Sequence, residues 1–224
     1  MNAPLLVFDL DGTLFRSEDV FVPAISCTLE QYGLPVPPRG EILSFLTMTS
    51  TEFARRITAG TSVSPDEFQR EFRLRERAAI PKDGRLYPGI SEMLRNFRDD
   101  GFSMAICSNG SAKYVEIVLE TLGIRSLFER CATNDRNVAK ADLLHELLSD
   151  ERPAVMVGDS PGDQAAAVAC GVPFVYAAYG YGEVAPEQAD EVCAAPENLE
   201  TVVRRGAFRL YTRRHRRYIR VSDL

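Results

Sequence analysis

The sequence predicts an α/β protein, a doubly wound parallel sheet interrupted by an inserted helical segment. Three observations carry this. Short apolar runs at about 5–9, 103–107, 154–158 and 173–177 are bounded by turn residues, as buried strands are. Helical patterns separate these runs, and that alternation is the signature of a parallel sheet covered on both faces. Between residues 16 and 84 the buried-strand pattern disappears, and only helical patterns remain.

Taken in order, the chain opens with Leu5-Leu6-Val7-Phe8, which ends abruptly in Asp9, Asp11, Gly12 and Thr13. Asp19 to Tyr32 then reads as a helix stopped by Gly33 and by Pro35, Pro37 and Pro38. A second helical stretch lies near Glu41 to Phe45. A third begins at Ser50 or Thr51, and a fourth at Ser64-Pro65-Asp66-Glu67. There Ser64 is expected to cap, Pro65 suits the first helical position, and Glu67 would complete a capping box. Pro81 to Gly84 closes the insertion. Beyond it, Gly101, Gly123 and Gly171 fall where helices end.

The chemistry is concentrated at the ends of the strands. In an open α/β sheet, ligands bind outside the carboxyl ends of the strands. Asp9 and Asp11, one residue apart at such an end, repel each other unless a cation or a shared proton separates them. Mg2+ takes oxygen ligands of this kind. The pair therefore suggests a magnesium site with one carboxylate free to attack and the other to move protons. Ser108, Asn109 and Gly110 follow the second strand, where Ser108 and the loop amides suit phosphate oxygens at the start of the next helix. Lys140 lies near a helix start, where its charge opposes the dipole, so an anionic partner is expected. Gly158-Asp159 ends the third strand, and Asp163 follows four residues on. Taken singly, each segment has an ordinary reading: a turn, a solvated lysine, a helix cap. Together and in this order they specify a site.

At this point the chain resembles the haloacid dehalogenase superfamily, and within it the phosphoglycolate-phosphatase-like branch with a helical cap. Asp9-Leu10-Asp11-Gly12-Thr13, Ser108, Lys140 and Gly158-Asp159 with Asp163 match that family's four motifs. Tyr87-Pro88-Gly89 and Tyr179-Gly180-Tyr181-Gly182 are weaker matches to the branch. The resemblance implies a Rossmann-like core over 1–15 and 85–203 and a cap over 16–84. It implies a Mg2+-dependent phosphatase acting on a small phosphorylated metabolite through an aspartyl-phosphate. Asp9 would be the nucleophile, Asp11 the acid and base, and Lys140 a catalytic and phosphate-binding residue beside Ser108 and Asn109. Asp9, Asp159 and the Asp11 carbonyl would hold Mg2+, with Thr13 and Asp163 supporting them from behind. Phosphoglycolate is the leading substrate. Nucleotide or sugar monophosphates are the alternative, and a catalytically silent binding protein on the same fold is the rival of another class. Asp11 argues against a dehalogenase. The three lysines, Lys82, Lys113 and Lys140, leave none within residues 16–81 for Schiff-base chemistry. No histidine follows the first motif as it does in the related mutases.

Cap residues would choose the substrate, and Arg16, Thr47, Thr49 and Ser50, with Arg55 and Arg56 nearby, are the candidates. Arg16 reads first as a surface or hinge arginine, and second as a bidentate donor to a substrate carboxylate or second phosphate. The composition, 45% hydrophobic and 26% charged, is that of an ordinary globular protein. Five scattered cysteines form no CxxC pair and read as reduced thiols, which points to the cytoplasm. No apolar stretch is long enough to span a membrane. From Arg204 onward eight arginines face one acid, Asp223, while the rest of the chain is acidic. Phe208, Tyr211, His215 and Tyr218 recur at helical spacing, so residues 204–224 are expected to form a basic amphipathic tail. Docking on the acidic body or on a second subunit is favoured over nucleic-acid or membrane binding and over a solvated end. A homodimer through this tail stays open.

Overall fold

The computed structural model describes residues 4–148 and 152–206. The expected tail lies almost wholly outside the described residues, and only Arg204, Arg205 and Gly206 fall within them. Strand β1 (Leu5–Phe8) is followed by helices α1 (Glu18–Gln31), α2 (Arg39–Ser44), α3 (Ser50–Ile57), α4 (Pro65–Asp83) and α5 (Ile90–Asp99). Then come β2 (Ser103–Ser108), α6 (Ala112–Thr121), β3 (Arg130–Thr133), α7 (Lys140–Leu147), β4 (Ala154–Gly158), α8 (Pro161–Cys170), β5 (Phe174–Ala177) and β6 (Glu191–Cys193). The sheet order is β3-β2-β1-β4-β5-β6, and every neighbouring pair is parallel.

The pleat of β1 explains how both faces become covered. Successive side chains of a strand point to opposite faces. Leu6 and Phe8 pack on one side with Ile106, Val155 and Val157, against α5, α6 and a helical stretch that carries Leu199 and Val203. Leu5 and Val7 pack on the other side with Ala105 and Met156, against α7 and α8. Burial on both faces is why this strand is a continuous apolar run rather than an alternating one.

The four helices between β1 and α5 enclose a core of their own. Phe21 and Ile25 of α1, Phe53 of α3, and Phe68 and Phe72 of α4 are buried together. The rings of Phe21, Phe53 and Phe72 meet at 5.2–5.6 Å between centroids, two of the three pairs edge to face. That is the separation and tilt at which aromatic quadrupoles attract.

Two expectations need correction. β3 and β6 are strands that the apolar pattern does not show, because both are short edge strands with charged or polar residues. Ser64 makes no side-chain cap to α4, so the Ser64/Glu67 box is absent, and Pro65 alone marks the start. Helix α4 runs through Pro81 to Asp83, with Gly84 at its C-cap. Among the described residues no helix is long and apolar enough to cross a membrane, and all five cysteines are free.

Candidate active site

Asp9 follows β1, Ser108 ends β2, Asp159 follows β4 and Lys140 opens α7. The parallel register brings these chain-distant residues to one edge of the sheet, next to the position where strand order reverses. All four are buried, at 6%, 1%, 2% and 8% exposure. Asp9 is fixed at its backbone, where its amide donates to the Val157 carbonyl at 2.8 Å. The Lys140 ammonium donates to Asp9 Oδ1 at 2.6 Å and pairs with Asp163 Oδ1 at 2.5 Å. Oxygens of Asp9, Asp159 and Asp163 lie within 4.8 Å of one another.

Asp163 has two tasks. Its Oδ2 accepts from the Ser160 amide at 3.0 Å and the Ser160 hydroxyl at 2.6 Å. Ser160 Oγ in turn accepts from the Asp163 amide, which completes a capping box on α8. One oxygen of Asp163 thus serves the helix cap and the other pairs with Lys140. Gly158 makes this approach feasible, since a Cβ there would lie 2.3 Å from Asp163 Cγ.

Asp159 is held by the segment Tyr179-Gly180-Tyr181-Gly182. Its Oδ2 accepts from the Tyr181 amide at 2.7 Å and from the Gly182 amide at 3.4 Å. A Cβ on Gly12 or Gly180 would come within 2.3 or 2.4 Å of that same oxygen, and Gly12 has a φ of +76°, which favours glycine. The same segment anchors two further places. The Tyr179 phenol donates to the Thr13 carbonyl at 2.7 Å, and Tyr181 Oη accepts from the Glu18 amide at the start of α1.

Electrostatics follow from burial and crowding. Burial raises Asp9 well above the usual carboxylate range. Lys140 opposes this, while Asp163, Asp159 and Asp11 add to it. Burial and then Asp163 push Asp159 up to about 7. Burial works against the Lys140 ammonium, but Asp163 and Asp9 hold its pKa well above the ordinary value, so it stays charged. One ammonium faces three clustered carboxylates. This all-oxygen, negatively overcharged donor set fits a hard divalent cation.

Asp11 stands apart from the cluster. Its side chain lines a cavity bounded by α1, α3, α4 and the loop after β2. The Tyr114 phenol donates to its Oδ1 at 2.6 Å. Burial raises Asp11 from the ordinary carboxylate value, and Tyr114 pulls it back down. Ser108 Oγ accepts from the Gly110 amide at 3.0 Å, and Asn109 lines the same cavity.

The expected specificity residues are less well placed. The Arg16 guanidinium is 40% exposed and pairs with Glu18 and Asp19, which is the surface reading. The Thr47 hydroxyl donates to the Ser44 carbonyl and is exposed. Thr49 caps α3 through the Glu52 amide and borders a polar cleft beside the cavity, and Ser50 is the first residue of α3. Arg56 lies over the Phe45 ring. The cavity walls instead bring in Arg73, Glu76, Arg77 and Tyr114, none of which the motifs single out. Arg73, Glu76 and Arg77 fall three and four positions apart on α4, a spacing that shows they share a face but not what the face meets.

A doubly wound sheet with acidic residues at its switch point defines the class of protein. The chain belongs to the haloacid dehalogenase-like hydrolase family, whose profile matches residues 6–177. It is 30% identical over 225 residues to a phosphoglycolate phosphatase of Agrobacterium fabrum, covering 92% of this chain and 96% of that protein. It is also 30% identical over 185 residues to the tyrosine-protein kinase PtkA of Mycobacterium tuberculosis, covering 80% of this chain and 63% of that one. A solved structure of a predicted phosphoglycolate phosphatase from Haemophilus somnus superposes with a TM-score of 0.80 at 22% identity, over 91% of this chain and 99% of the other.

Proposed function

We propose that this protein is a phosphatase that hydrolyses a small phosphorylated metabolite, phosphoglycolate being the first candidate. The observation that carries the reading is the Asp9 carboxylate, pinned by Lys140 at 2.6 Å beside Asp159, next to a cavity that holds Asp11. The similarity to the phosphoglycolate phosphatase over nearly the whole chain supports it.

Asp9 attacks phosphorus, the bond from phosphorus to the alcohol oxygen breaks, and Asp11 gives its proton to the departing alcohol. Burial favours the protonated form of Asp11, and the Tyr114 phenol stabilises the carboxylate left behind. Asp11 then takes a proton from the water that attacks the aspartyl-phosphate, which releases phosphate and restores Asp9. Lys140, Ser108 and the Asn109 amide are the groups that would bind phosphate oxygens. Asp9, Asp159 and the Asp11 carbonyl would hold Mg2+, which when bound offsets the repulsion between a phosphate dianion and the carboxylates. Thr13, tied to Tyr179, supports the loop from behind. Residues 16–84 act as a cap that closes over the site and excludes water. Five free cysteines accord with a reducing cytoplasm.

The test is a phosphate-release screen over phosphorylated metabolites with Mg2+. Release from a small monoester, lost in Asp9→Asn, is the expected result. Transfer of phosphate from ATP to tyrosine, with no phosphatase activity on any ester, would overturn it in favour of a kinase.

A further inference from the structure

Arg73 and Arg77 lie one helical turn apart on α4, and both line the cavity that contains Asp11. Among the described residues neither forms an ion pair, whereas Arg70 and Arg75 of the same helix both pair with Glu71. Arg16 is occupied by Glu18 and Asp19. Arg77 spends one amino group on Ser111 Oγ at 3.2 Å, while its Nε is buried without an acceptor. The Arg73 side chain makes no hydrogen bond among the described residues, and burial followed by the neighbouring Arg77 lowers its pKa. Two like charges held close, with a donor left unmet, are costly unless an anion arrives.

Two acids, Glu76 and Asp135, act on Arg73, and among the described residues neither forms an ion pair with it. Glu76 lies between Arg73 and Arg77 in sequence, is 8% exposed and lines the same cavity, and its side chain makes no hydrogen bond among the described residues. Burial, followed by Asp11, pushes its pKa up to about 8, so near neutral pH it is largely uncharged. Phe21, Phe45, Phe53 and Phe72 give the same cavity an apolar wall. Such a wall suits a carbon chain and keeps the dielectric low, which strengthens an arginine–anion pair.

We propose that Arg73 and Arg77 form a second anion subsite, so that the substrate is a phosphomonoester carrying a further anionic group, a carboxylate or a second phosphate. The planar fork of arginine matches both groups bidentately. The role that the sequence offers to Arg16 thereby passes to α4. This inference rests on the phosphatase reading, since it takes the reacting phosphate to lie at Asp9.

The experiment uses the full-length Asp9→Asn protein with Mg2+ and calorimetric titration of three probes: phosphoglycolate, a sugar bisphosphate, and ethyl phosphate, which has no second anion. At least one of the first two should bind about 10- to 100-fold tighter than ethyl phosphate, the range for one or two charge-assisted hydrogen bonds. Which of them binds tighter separates a carboxylate from a phosphate. Arg73→Gln and Arg77→Gln, each added to that background, should remove most of the preference. If Arg77→Gln fails to fold because it loses Ser111, Arg73→Gln carries the test. Equal affinities, no binding of either two-anion ester, or a preference that survives substitution of Arg73 overturns the subsite. Intact preference with no phosphate release by the wild-type enzyme would instead sink the phosphatase reading.

Discussion

Lys140 is the hinge of the site's electrostatics at the residue scale, because it contacts two carboxylates that would otherwise repel. Asp9→Asn keeps the side-chain shape, so a circular-dichroism melt should change little while phosphate release disappears. Asp11→Asn removes the proton carrier, and kcat should fall by roughly 10²–10⁴-fold with a smaller change in KM. Glu76 offers a test that does not depend on activity. Its folded pKa of about 8 lies above the ordinary 4.5. Between those values the unfolded chain ionises and the folded one does not, so stability falls as pH rises through that window and levels off above it. Glu76→Gln escapes this loss. Its advantage in denaturation midpoint should be absent near pH 4.5 and grow by at most about 1.4 kcal/mol per pH unit up to pH 8. An advantage that is constant with pH would show that Glu76 titrates normally. Asp9, Asp11, Ser108 and Asp159 were legible because each lies in a short polar break after an apolar run, and Lys140 because it stands at the start of an amphipathic segment. Arg73, Glu76, Arg77 and Tyr114 were not, because only folding reveals that α4 and α6 face Asp11.

At the scale of elements, helix α8 shows how one start signal serves two ends. Ser160 and Asp163 cap the helix, and the same cap aims Asp163 Oδ1 at Lys140. Ser160→Ala should cost about 1 kcal/mol in urea unfolding, within the usual range for a lost cap. It should also weaken catalysis, since Asp163 then loses its orientation. A variant with unchanged stability and activity would show that the box is incidental. The buried strands could be located from their apolar runs. β3 could not, since Arg130-Cys131-Ala132-Thr133 carries only one buried residue, and edge position rather than composition makes it a strand. The serine before α4 has the right identity for a cap yet accepts nothing, so identity alone does not report the geometry.

The whole molecule places its acidic cluster in a setting that invites a cation. Chelation by EDTA should therefore abolish phosphate release, and Mg2+ should restore it. Mg2+ at 100 times its dissociation constant should also add roughly 2.7 kcal/mol of stability, read as a rise in melting temperature. No rise and no loss on chelation would remove the metal from the mechanism. The order of the strands has a consequence for how the chain is made. β1 is synthesised first yet lies between β2 and β4 in the finished sheet, paired with residues 103–106 and 154–157. At ~5–20 residues per second, the ribosome delivers β4 roughly 7–30 s after β1. For that interval a four-residue run of wholly apolar side chains has one backbone edge or both unclaimed. The nascent chain is therefore most exposed to aggregation and to chaperones before its catalytic edge exists, and Asp9, the first site residue made, waits longest for its partners.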